Sequence, residues 1–270
     1  MGLKRILKTI VQIAISFSIL LAGFYIFWLF PRYTVPILTY HNIDYRGGLL
    51  SVAPENFEKQ MRYLKNAHYN VISLNDLVEG TKKGRSFPHK TVVITIDDGY
   101  KNNFTYAYPV LKKYGFPATL FLITKHIGTS ADFLNWDEIK EMSKNNISFG
   151  GHTKNHPHLP EIQDKDVLWE EIAGCKKAIE EHIGIPAAYF CYPLGGITGA
   201  VEMLVQKAGY KGACTTKQGH DVFNKKDLYA LNRISVRNGN PDFSFFNLWS
   251  PFRFRDKLSG YYNLFRKDIY

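Results

Sequence analysis

The chain has 270 residues, 45% of them apolar, which is enough for one substantial core and argues against two catalytic domains. Its formal charge of +10 comes from Lys and Arg scattered along the chain, so it gives no ground for a nucleic-acid partner and reads as a solvated basic surface near anionic lipid or wall polymer. Cys175, Cys191 and Cys214 are odd in number and lack CxxC spacing, which indicates neither a disulfide framework nor a zinc-thiolate site and leaves room for one disulfide outside the cytoplasm.

In chain order, the first feature is an apolar run from about Thr9 to Phe30 with no charged residue, long enough to cross a hydrocarbon core. Lys4, Arg5 and Lys8 precede it and predict a cytoplasmic N-terminus with the remainder outside. The run ends in Phe24-Tyr25-Ile26-Phe27-Trp28-Leu29-Phe30, aromatic residues that suit a membrane interface and lack the small residues of a peptidase site. Residues 1–32 are therefore expected to be a basic tip and a single transmembrane anchor, and 33–270 an extracytoplasmic catalytic domain. Secretion after signal cleavage is the alternative.

Beyond the anchor, strands are predicted at Ile37–Tyr40, Val71–Ser73, Val92–Ile96, Thr119–Ile123, Ile147–Gly150, Ala188–Tyr192, Gly212–Thr215 and Leu231–Ser235. Helices are predicted near Glu55–Asn66, Asn103–Tyr114, Trp136–Lys144, Lys165–His182 and Gly199–Ala208. This alternation predicts an α/β fold, a distorted barrel of seven or eight β/α units behind one transmembrane helix. An open doubly wound sheet is the competitor, without a glycine-rich dinucleotide fingerprint to support it. The aromatic and basic stretch Asn240–Tyr270 is expected to pack against the barrel.

Three clusters carry chemistry. In Val92-Val93-Ile94-Thr95-Ile96-Asp97-Asp98-Gly99-Tyr100, two carboxylates follow a buried-type strand; neighbours leaving a strand face different sides, so one can hold a metal while the other faces substrate or water. An isolated Asp-Asp-Gly is more often simply a turn. In Gly150-Gly151-His152-Thr153-Lys154-Asn155-His156, two imidazoles four positions apart can meet on one side of a helical turn and ligate one cation, with a solvated polar loop as the alternative. His41 ends the first predicted strand in Thr39-Tyr40-His41-Asn42. All five residues fall at C-terminal strand ends, where β/α barrels collect their chemistry.

On these residues the stretch from Val35 to Val236 resembles the polysaccharide deacetylases of carbohydrate esterase family four. The resemblance implies a distorted β/α barrel, Asp97 as catalytic base, and Asp98 with His152 and His156 of a His-Ser/Thr-x-x-His motif as metal ligands. Tyr40-His41 is similar to the branch with permuted motifs, which includes deacetylases of poly-N-acetylglucosamine exopolysaccharides and implies His41 as the acid. Cys191-Tyr192-Pro193-Leu194-Gly195 stands where many members carry Arg-Pro-Pro-Tyr-Gly, so the arginine that braces the base and the usual tyrosine are both missing. The oxyanion contact, a backbone N–H, is expected at Leu194. Arg233, in Leu231-Asn232-Arg233-Ile234-Ser235, is the candidate to brace Asp97 from another strand, with a structural salt bridge as the alternative.

The expected function is metal-dependent removal of N-acetyl groups from an extracytoplasmic N-acetylglucosamine polysaccharide, either exopolysaccharide or cell-wall glycan. One carboxylate and two imidazoles suit Zn²⁺ and also admit Co²⁺, Ni²⁺, Mn²⁺ or Fe²⁺. A glycan-binding barrel without activity is the alternative, prompted by the missing Arg and Tyr; a phosphoesterase would want a second metal or more cations than the motifs offer. Discrimination between polymers is expected in the loops Asp44–Ala53 and Thr124–Phe133.

Overall fold

Helix α1 (Gly2–Phe24) is the first element of the computed structural model, which describes residues 2–25, 35–88, 90–219 and 227–238. No part of its Arg5–Phe24 segment, mean hydropathy 1.9, is buried, and side chains such as Ile6, Phe17 and Leu20 face outward. It is long and apolar enough to cross a membrane. The remainder of the expected apolar run, residues 26–30, lies outside the described residues, as does the C-terminal stretch Asn240–Tyr270.

The strands that follow are β1 (Ile37–Tyr40), β2 (Asn42–Ile43), β3 (Ser51–Val52), β4 (Asn70–Ile72), β5 (Thr91–Ile96), β6 (Ala118–Leu122), β7 (Ile147–Gly151), β8 (Tyr189–Cys191), β9 (Gly212–Gln218) and β10 (Leu231–Ser235). Seven of them form a closed parallel ring in the order β1, β10, β9, β8, β7, β6, β5, with β5 returning to β1 through Ile37↔Val93 to Tyr40↔Ile96. The sequence reading of seven or eight units resolves to seven. The extra predicted strand, β4, pairs only with the start of β5 and stays out of the ring, while β2 and β3 form a separate short pair.

Around the ring lie α2 (Pro54–Asn66), α3 (Leu74–Lys82), α4 (Tyr108–Tyr114), α5 (Trp136–Ser143), α6 (Lys165–Trp169), α7 (Cys175–Ile183) and α8 (Gly199–Lys207). Their ends are chemically marked: Ser73 accepts from Asp76 N at the start of α3, and Asn135 and Glu138 form a reciprocal capping box on α5. Gly115 and Gly184, both left-handed, close α4 and α7. Helix α3 is an element the sequence reading did not predict.

Strand β5 is buried at all six positions because it is covered on both faces. Val92, Ile94 and Ile96 point outward to the helices, packing in one cluster with Phe57, Leu64 and Leu111. Val93 points inward, clustered with Ile37, Phe121, Cys191, Cys214 and Leu231. Side chains alternate along a strand, so Thr95 and Asp97 continue the inward row above Val93, as Thr39 and His41 do above Ile37. All three cysteines are buried thiols, including Cys191 and Cys214, which face each other in register on β8 and β9. No disulfide joins them.

Candidate active site

At the C-terminal end of the ring, the inward rows deliver a set of polar side chains onto an apolar floor. Arg233, 1% exposed, reaches across from β10 and meets Asp97 with both arms, Nη1 to Oδ1 at 2.7 Å and Nη2 to Oδ2 at 2.7 Å. Its Nε donates to the Thr215 carbonyl at 3.0 Å and Nη1 also to Thr95 Oγ1 at 3.2 Å, so the guanidinium plane is fixed from four directions. The Cys191 thiol closes the arrangement, 3.0 Å from Arg233 Nη2 and 3.6 Å from Asp97 Oδ2. Burial by itself would raise the Asp97 pKa, but the guanidinium outweighs it and holds the carboxyl well below the usual carboxylate range. The same carboxylate raises Arg233 above its ordinary value against the opposing effect of burial. Burial pushes the Cys191 thiol up, so it is neutral at physiological pH.

Asp98 does not continue the strand. Its φ of 75° and the 76° of Gly99 turn the chain sharply, so consecutive carboxylates leave β5 in different directions. Gly99 is required twice: its φ is left-handed, and a Cβ there would come 2.9 Å from Leu122 Cδ2. Asp98 Oδ1 lies 3.4 Å from His152 Nε2 and 3.8 Å from His156 Nε2, and the two imidazoles meet edge to face with centroids 4.7 Å apart.

The two histidines converge by a route other than the helical turn expected from their spacing. Residues 152–158 are an irregular loop in which Thr153 (φ 65°) and His156 (φ 63°) are both left-handed. The loop holds this conformation through its own contacts: His156 N donates to Thr153 Oγ1 at 2.8 Å, and the buried Glu171 accepts from Lys154 N at 3.0 Å and Asn155 N at 2.9 Å. Two or more left-handed non-glycine residues beside one cluster are strain of the kind that functional sites hold in place.

The donor set fits a divalent cation. His152 Nδ1 lies 2.8 Å from the Cys191 carbonyl, a partner that can only accept, which fixes the proton on Nδ1 and leaves the Nε2 lone pair facing Asp98 and His156. The ligand atoms of Asp98, His152 and His156 lie within 4.8 Å of one another. Asp97, His152 and Cys191 satisfy the same spacing. Arg233 rules that second set out, because its Nη2 is already in contact with both the Asp97 carboxylate and the thiol and would repel a cation between them.

His41 sits above this centre, its Nε2 3.7 Å from Asp97 Oδ2. Asn103 Nδ2 donates to the His41 carbonyl at 2.8 Å, while Asn102 takes the Ile43 N–H on its Oδ1 at 3.1 Å and donates to Asn42 Oδ1 at 2.8 Å. Leu194 follows β8 in a tight turn at φ 55°, with its side chain exposed. The fold thus gathers His41, Asp97, Asp98, His152, His156 and Arg233 at one end of the barrel. Sequence reading passed over Cys191 as a contact of Asp97, Glu171 as the anchor of the histidine loop, and the Asn102–Asn103 pair that holds the backbone of His41 and Ile43. An Asn-Asn pair opening a helix after Asp-Asp-Gly was the visible signal for the last; nothing in the sequence marked the other two.

A profile of the polysaccharide deacetylase family matches residues 84–213. YxkH of Bacillus subtilis (strain 168), named as a candidate polysaccharide deacetylase, is 33% identical over 205 residues, covering 76% of this chain and 72% of its own. The poly-β-1,6-N-acetyl-D-glucosamine N-deacetylase of Staphylococcus aureus (strain MSSA476) is 28% identical over 199 residues, 69% of this chain and 68% of its own. Among solved structures, the Streptococcus pyogenes deacetylase PplD in complex with acetate superposes with a TM-score of 0.71 at 29% identity, covering 76% of this chain and 92% of that one. The chain belongs to the polysaccharide deacetylase family, enzymes that hydrolyse the N-acetyl amide of a glycan.

Proposed function

We propose that the protein is a membrane-anchored, metal-dependent deacetylase of an extracytoplasmic N-acetylglucosamine polymer, with Asp97 as base, His41 as acid and Asp98, His152 and His156 as metal ligands. The observation that carries the reading is the contrast at the barrel mouth: one carboxylate locked to a buried arginine, its neighbour aimed at two imidazoles. A divalent cation bound by the latter three residues would polarise the acetyl carbonyl and acidify water, with Zn²⁺ the best match to one carboxylate and two imidazoles.

Asp97 accepts the proton of the attacking water. Both of its oxygens bond Arg233 and Oδ2 also faces the Cys191 thiol, which leaves the second acceptor position of Oδ1 for water, and the charge held on the carboxylate ensures that it is free to accept at neutral pH. The water oxygen attacks the acetyl carbon, and the Leu194 N–H donates to the oxyanion that forms. Protonated His41 then gives its proton to the departing amine nitrogen, which is a poor leaving group without it. Acetate and a glucosamine unit result. The proton taken up by Asp97 passes to His41, which has given up its own and lies 3.7 Å away, and this restores both groups for the next cycle.

Residues 1–32 act as basic tip and anchor and 33–270 as the catalytic unit, a division supported by the exposed apolar helix and the basic residues at its start. Kinship with a poly-β-1,6-N-acetyl-D-glucosamine deacetylase favours exopolysaccharide over wall glycan. The test is acetate release by the full chain in detergent micelles from β-1,6- and β-1,4-linked N-acetylglucosamine oligomers, with and without chelator. Chelator-sensitive release supports the reading. Folded, metal-loaded protein that binds oligomers without releasing acetate would instead make it a glycan binder.

A further inference from the structure

The two ends of the barrel differ in charge. At the base, where the ring strands begin, the loops entering β5, β7 and β9 carry Lys83, Arg85, Lys90, Lys144 and Lys211, and Asp227 is the one acidic residue among the described residues of the base loops. Loops at the mouth hold acidic and basic residues in near balance. Helix ends account for part of the excess: Lys83 and Lys144 follow the last turns of α3 and α5, where a cation suits the helix dipole, and Lys90 Nζ donates to the Ala67 carbonyl behind α2 at 2.9 Å. Arg85 and Lys211 lie beyond the last turn of any helix. Of the five, all but Lys90 are exposed.

Chain order decides what this end faces. The expected apolar run ends at Phe30, while Val35, 3% exposed, is already packed at the foot of β1 in one cluster with Ile37. The four residues between them span at most about 18 Å. Because β1 begins at the base and runs to the mouth, an anchor in the bilayer holds the base against it. The mouth then stands roughly 20 Å farther out, the rise of a six-residue strand such as β5. So short a tether brings long basic side chains into the potential of anionic headgroups, which falls off over about 8–10 Å. Ile185, 41% exposed, borders the same recess of the base as Lys211, an apolar contact that suits a bilayer and gives nothing to a soluble polyanion.

We propose that the base of the barrel is a contact surface for anionic phospholipid headgroups, which seats the domain with its mouth turned away from the membrane. It rests on the anchor reading above. The enzyme so placed meets polymer that has cleared the headgroups, not units lying at the membrane surface.

The test places the full chain in nanodiscs of phosphatidylcholine alone or with phosphatidylglycerol, and follows acylation of each lysine by a membrane-impermeant amine reagent with mass spectrometry. Lys83, Lys144 and Lys211 are expected to react about tenfold more slowly in the anionic discs, while Lys125 at the mouth reacts alike in both. Salt at 1 M removes the difference. The double variant Lys83→Glu, Arg85→Glu restores labelling of Lys144 and Lys211 and leaves acetate release from a soluble oligomer unchanged. Equal labelling of the base lysines in both discs, or equal protection of Lys125, overturns the proposal and leaves the anchor intact. Protection in neutral discs by added soluble polyphosphate, as strong as that by anionic lipid, makes the base a polyanion site and overturns it as well. A chain retained in neither kind of disc overturns the anchor reading itself, and the seated base with it.

Discussion

Asp97 and Asp98 are adjacent in the chain and differ in every circumstance that matters to a carboxylate. Asp97 lies on the inward row of the barrel, sealed by Arg233, Thr95 and Cys191, and its charge is neutralised within the protein. Asp98 is turned out of that row by its positive φ and faces two imidazoles, with no Lys or Arg within ion-pairing distance among the described residues. Its pKa also lies below the ordinary value, against burial, but on account of histidines that a metal would replace as partner. Under the proposed mechanism the same residue type therefore serves as an internally compensated base in one place and as a metal ligand in the next.

The largest expected effect breaks the sealed half. Replacing Arg233 by Ala leaves Asp97 buried and unpaired, which should cost about 3–5 kcal/mol of stability and abolish turnover; chemical denaturation and acetate assay measure the two together. Next, His41→Ala should lower kcat by about 10²–10⁴-fold with metal content unchanged, read by elemental analysis beside kinetics. A retained kcat would remove His41 as the acid.

The pH dependence of stability sharpens the same contrast. Because the folded pKa of Asp97 is depressed, its pairing stabilises the fold fully above the unfolded carboxyl pKa of about 3.9 and is lost as pH falls towards the folded value. Wild type should therefore lose stability below about pH 4 more steeply than the double variant Asp97→Asn, Arg233→Met, in which the contribution of the pair is gone. Parallel acid-denaturation curves would contradict the buried pair. The smallest effect is Cys191→Ala, which removes a neutral thiol beside the pair and should cost roughly 1–2 kcal/mol of stability while leaving metal content intact.

What the sequence made legible follows from what is local. Val92–Ile96 is an apolar run because both faces of a parallel strand are covered, so the ring strands and the strand-end position of Asp97, Asp98, His152 and His41 could be read directly. Arg233 came into view only through the family resemblance, which expects an arginine beside the base where this chain has Cys191-Tyr192-Pro193, because 136 positions separate it from Asp97. Helix α3 escaped notice because its buried face is only Leu74, Leu77, Val78 and Gly80. The loop carrying His152 and His156 could not be read from spacing, since left-handed Thr153 and His156 are imposed by Glu171 from another segment. Nor does periodicity say that β4 pairs with β5 yet stays outside the ring, because a buried strand reads the same in either place.

The central claim, that adjacent aspartates divide base and ligand between them, is tested most directly by metal content and acetate release of Asp97→Asn and Asp98→Asn side by side in the full-length protein. The account predicts that Asp97→Asn keeps its metal and loses turnover, while Asp98→Asn loses both. Metal retained by Asp98→Asn, or lost from a folded Asp97→Asn, would contradict it.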